Sequence, residues 1–186
     1  MKLIELIEKN NNYGYQSDPG TDKESTHKFI TEFYEDAFEP YKNKSINVLE
    51  VGINTGGSLL LWKDYFAQGN IFGVDITDSL SRPKEEYENI KIFLNNGYDI
   101  SFVNSLPNLD IVIDDGPHTL ETQIAFINLY LPKLNPGGML VIEDIPNIEY
   151  IEHFKKQINN NLYKTVDTRE KYNQFDNILF AVWSPI

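Results

Sequence analysis

Two short segments carry most of the residues able to do chemistry: Asp114-Asp115-Gly116-Pro117-His118 and Val141-Ile142-Glu143-Asp144-Ile145. Each closes an apolar run of strand type, so each sets two acids at a strand's carboxyl end. If the strands are neighbours, about 4.8 Å separates them and four carboxylates crowd one rim. Two like charges about 4 Å apart repel by roughly 1 kcal/mol in bulk water and roughly 4 kcal/mol at an effective dielectric of about 20. Such a cluster needs a cation or raised pKa values, and a bound metal is the simpler answer. All-oxygen donors favour Mg²⁺, Mn²⁺ or Ca²⁺ over zinc, and Mg²⁺ keeps positions open for water or substrate oxygen, two of which adjacent hydroxyls would fill. The structural alternative is that Asp114 and Asp115 end a strand and cap the helix after His118, with Glu143-Asp144 in a solvated loop.

A second constellation lies upstream. Val48-Leu49-Glu50-Val51-Gly52-Ile53-Asn54-Thr55-Gly56-Gly57-Ser58 reads as a strand, a glycine turn and the start of a helix. Open α/β sheets bind nucleotides at such a turn. The Gly52-to-Gly56 spacing does not fit the dinucleotide fingerprint, and Glu50 would set a negative charge near a pyrophosphate, so a cationic or zwitterionic ligand suits the loop better. Asp75 closes Ile71-Phe72-Gly73-Val74-Asp75 about 20 residues further on, the offset at which a carboxylate accepts hydrogen bonds from ribose hydroxyls.

In these residues the sequence resembles the class I S-adenosylmethionine-dependent methyltransferases, whose acid, any residue, glycine, three residues, glycine pattern is matched by Glu50, Gly52 and Gly56. The resemblance implies that the Gly52–Gly56 loop, with Asn54 and Ser58, faces the methionine part of S-adenosylmethionine. It also implies that Asp75 holds the ribose, Asn96 or its neighbours border the adenine, and Asp114 faces the cofactor side. The two acidic segments are similar to the Asp-Asp-Gly-Ser-His and Glu-Asp motifs of the metal-dependent sugar O-methyltransferases of the macrocin and mycinamicin type. That likeness implies Asp115, Glu143 and Asp144 as ligands of a divalent metal, of Mg type, and His118 as general base. Gly20-Thr21-Asp22-Lys23, followed by His27, looks like that family's pre-helix segment, which closes over the cofactor.

The departures limit what carries over. Pro117 stands where the family has serine, which fixes the loop before His118 and removes a hydroxyl donor. No counterpart of the family's long N-terminal domain or extended lid is expected within these 186 residues. The implied function is therefore O-methylation of a hydroxyl on a sugar-like vicinal diol, with a catechol satisfying the same logic. Two other readings remain: a metal-independent N- or carboxyl-methyltransferase, and a non-catalytic cofactor-binding module. Chelator sensitivity separates the first, and binding without turnover identifies the second. Lys23 is read as either a cofactor contact or an exposed charge. His27 and His153 are placed on solvated helix faces, and Trp62, Tyr65 and Phe66 in the core.

The elements that must position these residues follow an α/β pattern. Apolar runs predict strands at Ile46–Val51, Ile71–Ile76, Ile90–Leu94, Leu109–Ile113, Met139–Glu143, Tyr163–Thr168 and Ile178–Trp183. Helices are expected over Ser58–Phe66, Glu121–Leu134 and Tyr150–Asn159, with Pro136-Gly137-Gly138 as a turn. Thr26–Phe38 reads as a covering helix with Ser25 or Thr26 as N-cap and Pro40 as stop. The expected fold is one Rossmann-like domain with a seven-stranded, mostly parallel sheet, in which residues 1–45 cover a core spanning 46–186.

At 186 residues and 41% hydrophobic, the chain suits one sizeable core. A net charge of −12 repels phosphate backbones and acidic membranes, which argues against nucleic-acid and membrane partners and leaves a small-molecule acceptor. The lack of cysteine removes disulfides and thiol nucleophiles and is compatible with a cytoplasmic setting. Neither an export signal nor a membrane span is expected. A homodimer is one way for a neighbouring subunit to complete the acceptor pocket, although no residue demands it.

Overall fold

The computed structural model describes residues 1–9, 20–80 and 87–186. In chain order its elements are helices α1 (Leu3–Lys9) and α2 (Asp22–Ser25), a π-helical turn (Ile30–Tyr34) running into α3 (Glu35–Phe38), then strand β1 (Asn47–Val51) and helix α4 (Gly57–Tyr65). There follow β2 (Asn70–Asp75), β3 (Ile90–Leu94), α5 (Ile100–Ser105), β4 (Leu109–Asp114), α6 (Leu120–Tyr130) and a 3₁₀ turn (Leu131–Lys133). The chain closes with β5 (Leu134–Ile142), α7 (Tyr150–Lys155), β6 (Leu162–Asp167), α8 (Arg169–Tyr172) and β7 (Ile178–Trp183).

The seven strands form one sheet in the order β3-β2-β1-β4-β5-β7-β6. β3 through β5 are mutually parallel, and β7 pairs antiparallel with both β5 and β6. This is the Rossmann-like methyltransferase architecture. Strand order reverses between β1 and β4, so their carboxyl ends flank the crevice in which such sheets bind ligands. Both sheet faces are covered, and the central strands accordingly read as continuous apolar runs. One core packs α4 and the N-terminal helices against Val48, Ile111, Ile113 and Val141. The other packs α5, α6 and α7 against Leu49, Val112, Leu140 and Ile142. Trp62, Tyr65 and Phe66 lie in the first core, and His153 is exposed on α7.

The covering helix forms over residues 29–38 and buries the expected Phe29, Ile30, Phe33, Tyr34 and Phe38, but its start departs from expectation. Residues 26–38 do not form one helix capped by Ser25 or Thr26. Thr21 instead caps the single turn α2, its hydroxyl accepting from the Lys23 N–H. Lys28 then takes φ +60°, a left-handed conformation that breaks the helical path before the π turn. Pro136-Gly137-Gly138 lies inside β5 with a register shift between Leu109 and Ile111, so it kinks the strand without interrupting it. The predicted N-terminal covering segment, 1–45, includes residues 10–19, which lie outside the described residues. Among the described residues no helix is long and apolar enough to cross a membrane.

Candidate active site

The carboxyl ends of β1, β2, β4 and β5 stay in register beyond the strands. The Gly52 N–H donates to the Val74 carbonyl at 2.9 Å, that of Asp115 to Val51 at 2.8 Å and that of Glu143 to Asp114 at 3.1 Å. The glycine loop and both acidic segments are thereby fixed to one sheet edge. Gly52 is required by packing as well as by its φ of +83°, because a Cβ there would lie 2.0 Å from the Asp115 carbonyl oxygen. At Gly57 a Cβ would lie 1.9 Å from the Gly20 carbonyl oxygen, so the N-terminal segment rests directly on the start of α4.

Two clefts open beside this edge. One, of about 570 Å³, is lined by Gly52, Asn54, Asp75, Asn96, Tyr98 and Pro117, among others. The second, of about 680 Å³, lies between Thr21 and Asp22 on one side and Asn54, Ser58, His118 and Asp144 on the other. Asp75 accepts N–H bonds from Ile53 and Asn54 at 3.0 and 3.1 Å on one oxygen and from Thr77 at 2.9 Å on the other. Despite partial burial, those donors hold its carboxyl below the usual range. It pins the glycine loop while lining the first cleft. Gly56 adopts φ +84° at the helix start, against Leu80 and Tyr87.

Of the expected cofactor contacts, Gly52, Asn54, Asp75 and Asn96 thus share the first cleft, and Ser58 faces the second. Glu50 and Asp114 are held inside the wall. Glu50 is fully buried and accepts the Trp62 indole N–H at 2.7 Å. Asp114 is 1% exposed and accepts the Tyr98 hydroxyl at 2.5 Å. Burial, with Asp115 adding repulsion, pushes the Asp114 carboxyl up to about 7.

The acidic rim divides in two. Lys23, 1% exposed, sends its ammonium between Glu50 at 3.1 Å, Asp115 at 2.7 Å and Glu143. Burial alone would lower its pKa, yet Asp115, Glu143 and Glu50 together raise it well above the ordinary lysine value. Glu143 also accepts the Tyr34 hydroxyl at 2.6 Å on its other oxygen. Lys23 is therefore neither an exposed charge nor a lining residue of either cleft.

Asp144 turns the other way through φ +50° and lies between two histidines. Its Oδ1 is 3.3 Å from His27 Nδ1, and its Oδ2 is 3.9 Å from His118 Nε2. His118 Nε2 is also 3.9 Å from Asp115 Oδ1. His118 itself sits at φ +56°. Non-glycine residues in the left-handed region cost on the order of 1–3 kcal/mol and concentrate where geometry serves a site. Burial pushes the Asp144 carboxyl up to about 9, with Asp115 adding to the shift.

The two histidines are driven apart. Burial holds His118 below the ordinary histidine value of 6.5, so it is neutral at pH 7. His27 is raised above 6.5 against its burial by Asp22, 3.6 Å from Nε2, and by Asp176. Opposed shifts of this kind separate a base from a charged partner. His27 is 4% exposed, not on a solvated face as its helical spacing suggested. Its role, and those of Tyr34 and Asp176, depend on contacts between distant segments that no local pattern encodes.

The donors fit a hard divalent cation. Ligand atoms of Asp115, His118 and Asp144 lie within 4.8 Å of one another, as do those of Glu50, Asp115 and Glu143, and those of Asp22, His27 and Asp144. Asp144 Oδ1 and His27 Nδ1 are buried without hydrogen-bond partners, an arrangement an ion beside Asp144 would relieve.

No protein-family model matches the chain. It is 32% identical over 134 residues to the 8-demethyl-8-alpha-L-rhamnosyl tetracenomycin-C 2'-O-methyltransferase of Streptomyces olivaceus, covering 68% of this chain and 35% of that protein. It is 34% identical over 131 residues to the mycinamicin VI 2''-O-methyltransferase of Micromonospora griseorubida, covering 63% and 31%. The chain spans about a third of the length of these curated relatives. The MycE methyltransferase of the mycinamycin biosynthetic pathway, solved with Mg and SAH, superposes with a TM-score of 0.61 at 28% identity over 77% of this chain and 36% of that one. Fold and comparisons together define a class I S-adenosylmethionine-dependent methyltransferase fold. Within that class, the chain's homologues are sugar O-methyltransferases of the tetracenomycin, mycinamicin and macrocin types.

Proposed function

We propose that this chain carries the catalytic site of an S-adenosylmethionine-dependent O-methyltransferase that methylates a hydroxyl on a sugar-like diol, assisted by a divalent cation of Mg type. The observation that carries the reading is a neutral His118 beside Asp115 and Asp144, each 3.9 Å away, facing the cleft that borders the Gly52–Ser58 loop.

The overall reaction exchanges an acceptor O–H for O–CH₃ and yields S-adenosylhomocysteine and a proton. Asp115 and Asp144 would hold the divalent cation, which when bound would supply Lewis acidity favouring loss of the hydroxyl proton. His118 Nε2 accepts that proton as the oxygen forms its bond to the methyl carbon, and the sulfur departs with the electron pair of the broken S–C bond. Asp75 and the glycine loop, which line the first cleft, would hold the donor in position for in-line transfer. Such positioning supplies roughly 7–11 kcal/mol in favourable cases. The relatives named above are rhamnosyl and macrolide-sugar enzymes, which supports a sugar hydroxyl over a catechol.

One observation favours a metal-free reading. Lys23 already offsets part of the acidic charge, so the rim is partly neutralised by the chain itself. Methyl transfer from S-adenosylmethionine to a panel of rhamnosides and catechols, read by mass spectrometry with Mg²⁺ and with a chelator, decides between them. Transfer to rhamnosides lost on chelation supports the proposal. Transfer that survives chelation supports the metal-free enzyme, and absence of transfer to every acceptor rejects both.

A further inference from the structure

Two tyrosine hydroxyls fix the loop that follows β3. Gly97 packs so closely on β1 and β2 that a Cβ there would lie 2.5 Å from a Val51 methyl carbon and 3.1 Å from one of Val74. Its carbonyl accepts the hydroxyl of Tyr130, a fully buried residue of α6, at 2.7 Å. Tyr98, next in the chain, donates its N–H to the Asn96 side chain at 3.0 Å and its hydroxyl to Asp114 at the end of β4. Tyr98 is thus held both at its backbone and at the tip of its ring. The same hydroxyl lies against Gly116, where a Cβ would come within 2.1 Å of it.

Gly116 belongs to the partition between the two clefts. It lines both, whereas Pro117 lines only the first and His118 only the second. His118 holds φ +56° at this point, and a residue in so strained a conformation persists only where its surroundings over-determine it. Helix α6, anchored through Tyr130, begins two residues later at Leu120. We propose that Tyr98 is a positioning residue whose hydroxyl, fixed on Asp114, supports the partition at Gly116 from the first cleft and so holds His118 in place on the other side. This rests on His118 as the proton acceptor and deepens that reading by naming what sets its place. Tyr98 acts only through the loop, and its leverage comes from geometry, since a misplacement of about 1 Å at a reacting group can cost about 10²-fold in rate.

The test compares the full chain as wild type, Tyr98→Phe, Gly116→Ala and the double variant. It reads methyl transfer to a rhamnoside at saturating S-adenosylmethionine, S-adenosylhomocysteine affinity by calorimetry, and the imidazole proton NMR signals of the three histidines, with His118 identified through His118→Gln. Tyr98→Phe is expected to lower kcat about ten- to hundredfold. S-adenosylhomocysteine affinity and melting temperature should change little, and the His118 signals should move while those of His27 and His153 stay. Gly116→Ala should also lower kcat, but by a smaller factor once the Tyr98 hydroxyl is gone, because its removal opens the space the new methyl group takes, and residues in contact couple in this way. A Tyr98→Phe protein with wild-type kcat or unmoved His118 signals overturns the proposal and leaves the proton-acceptor reading intact. So does a Gly116→Ala loss that is the same with and without the Tyr98 hydroxyl. Movement of all three histidines together marks a general loosening of the fold and also overturns it. If wild type transfers no methyl group, the proton-acceptor reading fails, and the histidine signals alone decide whether Tyr98 sets the place of His118. Should Gly116→Ala not fold, Tyr98→Phe decides by itself.

Discussion

His27 Nδ1 lies 3.3 Å from Asp144 Oδ1, and neither buried atom has a hydrogen-bond partner. The pair joins the N-terminal segment to the end of β5. Groups that orient a metal-binding carboxylate typically change metal affinity 10- to 100-fold when removed. His27→Ala should therefore weaken Mg²⁺ or Mn²⁺ binding by about that factor and leave S-adenosylhomocysteine affinity little changed, as calorimetry with each ligand would show. Equal losses for both would mark a general collapse of the site.

His118 should behave as the proton acceptor. His118→Ala is expected to lower kcat by about 10²- to 10⁴-fold with the fold retained. The rate should rise with pH as the imidazole loses its proton, with a midpoint below 6.5 because burial depresses the folded value. It should then be level across neutral pH. A steady-state pH profile checks this, and a His118→Ala variant with the same profile and rate would remove the assignment.

Asp114 makes a stability prediction with a definite sign. Its folded pKa is raised to about 7 from 3.8. The unfolded chain therefore ionises it first, and this residue's contribution to stability is full below about pH 4 and lost as pH rises toward 7. Asp114→Asn keeps an acceptor for the Tyr98 hydroxyl and abolishes the ionisation penalty, whose upper bound is roughly 4 kcal/mol at about 1.4 kcal/mol per pKa unit. The metal-free variant should melt higher than wild type at pH 8, and the difference should vanish near pH 4.

Gly52→Ala places a methyl group where the Asp115 carbonyl oxygen already lies, at a φ unfavourable to alanine. Backbone cannot yield there as a flexible side chain would. Destabilisation of about 1–3 kcal/mol or more is expected from overpacking, visible in thermal melts together with loss of S-adenosylhomocysteine binding.

The sheet was legible because its central strands are continuous Val, Ile and Leu runs bounded by turns, and β3 and β7 fall on the expected residues. Helix α5 was missed. Its capping residue Asp99, which accepts the N–H groups of Ser101 and Phe102, follows turn-forming Asn95-Asn96-Gly97, and six residues are too few to show a helical period. The buried face of the covering helix, Phe29 to Phe38, was legible in its apolar spacing, but its start was not, because that spacing ignores what Lys23 and His27 must reach. A lysine reads as solvated until the carboxylates from three strands are known to meet it, 27 to 120 residues further along the chain. For the same reason the acids at the rim could be found from sequence, while their division into a lysine-bound and an open half could not.

The most direct test of the central claim is calorimetric titration of S-adenosylhomocysteine into the folded chain, with and without Mg²⁺, alongside Asp75→Ala. One saturable site per chain, lost when Asp75 no longer pins the glycine loop, is the predicted result. No binding to the folded wild-type chain under either condition would contradict it, and with it the assignment of this site to methyl transfer.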